Sequence, residues 1–181
     1  AFIQIISSIV LVPLYLQYMT LSDYGAWMTA LAIFNILMVI DPGIATISSQ
    51  RLSKYYAEEN EQGFKESFNS PILLSIFFAL LILMIGIIAI QYIPNYIKYD
   101  NYLRQEELYN GLLIYAFSVA LVPISSVLSS VLQALLKTFS DSSLQFIAVL
   151  TSPLIIIISL LNGLGFISLA LGLLIPNIIR L

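Results

Sequence analysis

SSLQFIAVLTSPLIIIISLLNGLGFISLALGLLIPNII, residues 142–179, holds no Asp, Glu, Lys or Arg. As one helix rising 1.5 Å per residue it would reach about 57 Å, nearly twice the roughly 30 Å hydrocarbon core of a bilayer. Asn162-Gly163-Leu164-Gly165 in its middle is a turn signal. The stretch therefore reads as a hairpin of two spans, Leu144 to Leu161 and Phe166 to Leu181. Charges are costly at the bilayer centre, so the other charge-free runs outline four more spans: Ile3 to Met19, Tyr24 to Gln50, Pro71 to Ile93 and Leu108 to Leu136. Runs this long and continuously apolar are helical, because barrel strands alternate and helices satisfy their own backbone groups.

Composition agrees with an all-α polytopic membrane bundle of about six helices. The 181 residues are 60% hydrophobic and 9% charged, with mean hydropathy +0.97; soluble domains run near 45–50% and 25%. Without cysteine or histidine, thiolate metal sites, Cys or Ser–His nucleophilic catalysis and imidazole proton shuttles are excluded. A net charge of −3 leaves no broad basic face, so no nucleic-acid partner is expected. No cofactor is implied. Apolar sequence begins at Ala1 and runs into Leu181, and the chain reads as a fragment of a longer protein with no visible signal peptide.

Loop cations give a topology. Arg51, Lys54, Lys65, Lys137 and Arg180 fall on one side and Lys98 and Arg104 on the other, which by the positive-inside rule puts the N-terminus in the cytoplasm. Tyr18, Tyr24 and Trp27, then Tyr92, Tyr96, Tyr99 and Tyr102, crowd the outer turns as an interfacial aromatic belt. The Arg51–Glu66 stretch reads as a solvated cytoplasmic elbow; its carboxylates lack the spacing of a calcium loop.

Polar residues inside apolar spans carry the functional signal. Asp41-Pro42-Gly43 interrupts the second span: proline removes a backbone donor and pushes its predecessor out of helical geometry. Asp41 is the expected cap and Pro42 the expected first residue of a second half-helix, and broken helices at this depth line cavities or protein interior. Capping alone, a cavity-lining or proton-responsive role, and an ion pair with an absent partner all remain open for Asp41. On the fourth span Ser126, Ser130, Gln133 and Lys137 recur at spacings of 4, 3 and 4, one helical face. They form either a close-packing seam or a hydrated stripe ending in a cation. Gln145, Ser152 and Ser159 make a similar row on the fifth span, and Gln4, Ser8 and Tyr15 on the first, where Pro13 bends the helix. The third span has only Ser75 between Ile72 and Ile90 and reads as lipid-facing. Sorting polar groups onto the first, second, fourth and fifth helices points to an internal cavity for polar cargo.

These residues also carry a family resemblance. Leu11-Val12-Pro13-Leu14-Tyr15-Leu16, Tyr24-Gly25-Ala26-Trp27, Asp41-Pro42-Gly43 with Arg51 ten residues on, and Leu132-Gln133-Ala134-Leu135-Leu136-Lys137 before Phe139 and Asp141 resemble polysaccharide-export flippases. These are the Wzx-type branch of the multidrug/oligosaccharidyl-lipid/polysaccharide exporter superfamily. In that family a glycine usually stands where Ala134 is and an arginine where Lys137 is. The resemblance implies a two-lobed transporter of the bacterial plasma membrane, with residues 1–181 as its N-terminal six-helix lobe and the C-terminal lobe as partner. It further implies export of a polyprenyl pyrophosphate-linked oligosaccharide by alternating access, its tail among membrane lipids, with H+ or Na+ as a possible coupling cation. Cavity cations would come from Arg51, Lys137, Arg180 and the other lobe. A cation-coupled drug antiporter using Asp41, a membrane glycan polymerase or ligase, and a membrane scaffold are the alternatives; the outer loop from Pro94 to Glu107 has no histidine and only two cations for glycan-transfer chemistry.

Overall fold

The computed structural model describes residues 11–38, 43–96 and 102–181. Residues 11–18 are helical (α1), followed by α2 (Leu21–Met38), α3 (Ile44–Ala57), α4 (Glu61–Tyr96), α5 (Tyr102–Ala134), α6 (Thr138–Leu161) and α7 (Gly165–Ile179). No strand occurs among the described residues. Asp41 and Pro42, Gln4 and Ser8, and residues 97–101 of the tyrosine-rich loop lie outside them.

Among the described residues three helical stretches are long and apolar enough to cross a bilayer: Glu61–Tyr92, Gln105–Ala134 and Thr138–Leu161. The apolar α7, with 15 residues, reaches about 22 Å. Helix ends and hydrocarbon edges do not coincide, because a helix keeps its own hydrogen bonds in water as well as in lipid. The expected elbow is thus largely helical: α3 runs on to Ala57, α4 already starts at Glu61, and Glu59 turns the chain at φ +52°. Lys54–Glu58 and Lys65–Glu61 pair at 3.9 Å on its exposed surface, where such pairs add little. The outer loop likewise contracts, with α4 continuing to Tyr96 and α5 starting at Tyr102.

The second apolar run is divided, as its sequence requires, but the residue that starts α3 differs from the expected one. Gly43 is the N-cap, at φ +71° and ψ +26° with no side-chain cap; Asp41 and Pro42, the expected cap and first helical residue, lie outside the described residues. Nothing lies within 4 Å of a Cβ built at Gly43; the left-handed backbone, which glycine alone adopts without steric cost, is what the position demands. At the start of α2 the Thr20 backbone N–H donates to Asp23 Oδ2 and the Asp23 N–H to Thr20 Oγ1, both at 3.1 Å, a reciprocal capping box.

Helix α5 is the centre of the bundle, packing against α4, α7 and α3. Near the α1–α2 and α6–α7 turns its wall is aromatic. Phe34 meets Tyr115 edge-on at 5.2 Å, and Trp27 lies 5.9 Å from Tyr115 and 6.2 Å from Phe166. Trp27 is therefore a core residue, 3% exposed, and not a member of the interfacial belt. Lipid tails are as apolar as these rings, so shape-matched dispersion contacts, more than water exclusion, hold this end together. The opposite surface of α4 presents Leu73, Phe77, Leu80, Met84, Ile88 and Tyr92, all exposed and three or four residues apart. Such an exposed apolar stripe is suited to lipid contact, and Ser75 is turned inward, donating to Ile72 O at 2.8 Å.

Candidate functional site

Beyond the aromatic rings, α5 changes character. Ser125 to Gln133 carries polar residues three and four apart, and this face meets α3, α6 and α7 across an open hollow of about 480 Å3. Ser126, Ser129, Ser130 and Gln133 line it from α5, Thr46, Ser49 and Gln50 from α3, Gln145 from α6 and Arg180 from the end of α7. A second hollow of about 670 Å3 adjoins it. Tyr15, Val122, Ala148, Ser152, Ile156 and Asn177 are among its lining residues, and Gln145 and Arg180 belong to both hollows. Each volume falls within the roughly 300–1,000 Å3 of small-molecule sites.

Proline chemistry shapes the second hollow. Pro153 and Pro176 both line it and both lie inside helices. Proline at 176 cannot donate to the carbonyl four residues earlier, that of Gly172. Ser152 Oγ donates to Gly172 O instead, at 2.6 Å, so a polar group at membrane depth stays satisfied from the neighbouring helix. The exchange requires close approach of α6 and α7: a Cβ on Gly172 would sit 2.1 Å from Ile156 Cγ1. One residue past the proline, Asn177 Nδ2 donates to the carbonyl and hydroxyl oxygens of Ser118 at 3.1 and 3.0 Å, fixing α7 to α5.

At the other edge of the polar hollow stands a buried carboxylate. Asp141, 6% exposed, accepts from Ser129 Oγ at Oδ1 and from Gln133 Nε2 at Oδ2, the latter at 3.1 Å. It lies in the first turn of α6, where the positive end of the helix dipole favours an anion. Two donors and a helix N-terminus make burial of the charge tolerable.

Of the residues singled out from sequence, Ser126, Ser130, Gln133 and Gln145 come together in the polar hollow, and Ser152 lines the second. Lys137 and Arg51 are exposed and line neither. The reason for Lys137 is local: α5 ends at Ala134, Leu136 turns the backbone at φ +58°, and Lys137 becomes the N-cap of α6, off the face that its spacing assigned it. Pro13 is an exposed residue of α1. Gly43 ends the interruption before α3, while Asp41 and Pro42 are outside the described residues. Sequence reasoning passed over Thr46, Ser49 and Gln50, although their spacing of 3 and 4 already marks a polar helical face. It gave Ser129 and Asp141 no site role, because their contact spans the α5–α6 turn. The arrangement offers hydroxyls, amides and one guanidinium around open space, groups suited to binding a hydrophilic molecule.

No curated protein and no solved structure matches the chain. The family model described as polysaccharide biosynthesis protein matches residues 1–181, and with its long apolar helices the chain is a membrane protein that belongs to the polysaccharide biosynthesis protein family.

Proposed function

We propose that this chain is one lobe of a flippase, not an enzyme, that carries a polyprenyl pyrophosphate-linked oligosaccharide across the bacterial plasma membrane by alternating access. The observation that carries the reading is the pair of adjoining hollows joined at Gln145 and Arg180. One is walled by hydroxyls and amides and the other is largely apolar, and both border α5 and α6, which are long enough to cross the bilayer. A cavity of this kind shields a saccharide from acyl chains, which by themselves impose the full cost of stripping its hydration. Among the described residues Arg180 is the only cation lining either hollow, and it draws the anionic part of the cargo to their junction. The apolar surface of α4 stays with membrane lipids, the second lobe closes the open side, and a cation gradient drives the cycle.

In the full-length protein, Arg180→Ala should lower the appearance of lipid-linked saccharide in the outer leaflet at least tenfold at normal protein abundance, with Arg180→Lys retaining part of the activity. Undiminished export by a well-inserted Arg180→Ala protein removes the cargo role. Orientation is tested separately: a cysteine replacing Glu59, in a chain naturally free of thiols, should resist an impermeant reagent in intact cells. Prompt labelling there inverts the assigned topology.

A further inference from the structure

The hydrogen bonds around the polar hollow have directions that chemistry forces. A backbone carbonyl only accepts, so Ser126 Oγ must donate its proton to Val122 O, at 2.8 Å, and Ser130 Oγ to Val127 O, at 2.6 Å. An ionised carboxylate also only accepts. Asp141 therefore fixes Ser129 as a donor toward itself and sets the Gln133 amide with its nitrogen, not its oxygen, against the carboxylate. A serine has one proton, and all three α5 hydroxyls that line the hollow have committed theirs within the protein. Ser126 and Ser130 do so along their own helix, as serines in apolar helices commonly do. Ser129 does so only because α6 presents a carboxylate to it.

We propose that Asp141 is a positioning residue that holds the α5 wall of the hollow as a hydrogen-bond acceptor surface, selective for the hydroxyl and amide N–H groups of a saccharide and unfavourable to phosphate oxygens. The lone pairs left on Ser126, Ser129 and Ser130 match donors on the cargo, while Arg180, on α7, is the complementary donor for an anionic group. The hollow thus has a built-in polarity, sugar against α5 and anion toward α7. This rests on the flippase reading above and adds to it which wall reads which part of the cargo.

The test compares two probes on the full-length, detergent-solubilised protein: polyprenyl diphosphate bearing one N-acetylhexosamine, and bare polyprenyl diphosphate. The wild type should bind the sugar-bearing lipid about tenfold more tightly, the equivalent of about 1.4 kcal/mol. Asp141→Asn substitutes an amide whose N–H2 must find an acceptor, which turns Ser129 or Gln133 around and points a proton into the hollow. It should erase the sugar preference and leave the affinity for the bare lipid within about twofold of wild type. Equal weakening of both probes makes Asp141 a plain structural clasp and overturns the proposal, as does an unchanged preference. Should Asp141→Asn fail to fold, Ser130→Ala decides: its hydroxyl is bonded only along its own helix, and it should cut the sugar preference about threefold, an unchanged preference overturning the acceptor wall. A wild type that binds both probes alike overturns the acceptor wall, whereas one that binds neither sinks the flippase reading itself.

Discussion

One helix, α5, runs through two ends of the bundle built on opposite principles. Around Leu112, Tyr115, Ala116 and Val119 it is buried against the rings of Trp27, Phe34 and Phe166. From Ser125 to Gln133 the same helix borders open space and meets its neighbours through single hydrogen bonds to Asp141. Dispersion contacts at the first end are many and short-ranged, so any separation forfeits a large share of them at once. Hydrogen bonds at the second end are few and can be exchanged for bonds to water or cargo with little net change. A helix fixed at one end and exchangeable at the other can pivot, which is the motion that the proposed alternating access calls for.

The sharpest way to break this contrast is Phe34→Ala at the closed end. Removing a fully buried ring should cost about 3 kcal/mol, the low end for such truncations because lipid competes poorly solvated surface less harshly than water does. Thermal unfolding in detergent reads it, and a loss under about 1 kcal/mol would show that the aromatic end is no anchor. Gly172→Ala should follow at about 1–3 kcal/mol from overpacking against Ile156. Adding Ile156→Ala to that variant should restore part of the loss, and no recovery would mean that α6 and α7 are held apart by something else.

Ser152→Ala leaves the Gly172 carbonyl without the donor that Pro176 cannot supply, for about 1 kcal/mol of stability. Stability equal to wild type would show that another group or water takes over that carbonyl. At the small end, Lys137→Ala and Arg51→Ala should leave thermal stability unchanged and reduce export less than Arg180→Ala. An export defect as deep as that of Arg180→Ala would move the working cations to the exposed turns.

The polar faces were legible to different depths. Ser126, Ser130 and Gln133 share a face by helical arithmetic alone, and the hollow confirms that the face is common to them. Lys137 obeyed the same arithmetic only while the helix was assumed to continue; the left-handed Leu136 ended it, and no strong signal marks a leucine for that conformation. Trp27 looked interfacial because tryptophan favours membrane boundaries, yet Tyr115 and Phe166 enclose it, and those partners are about 90 and 140 residues away in the chain.

Charge-free length and the turn signal at Asn162–Gly165 were enough to establish helices, a membrane and a division of the last apolar run, because desolvating a charge or an unpaired backbone group is costly wherever it occurs. Periodicity went further and said which side chains share a face. It could not say what that face meets, since the rotation of one helix against the next is set by packing among residues distant in sequence. That Asp141 faces Ser129 and Gln133, that Arg180 and not Lys137 reaches the hollow, and that Ser152 replaces the donor missing at Pro176 were decided only when α5, α6 and α7 came together.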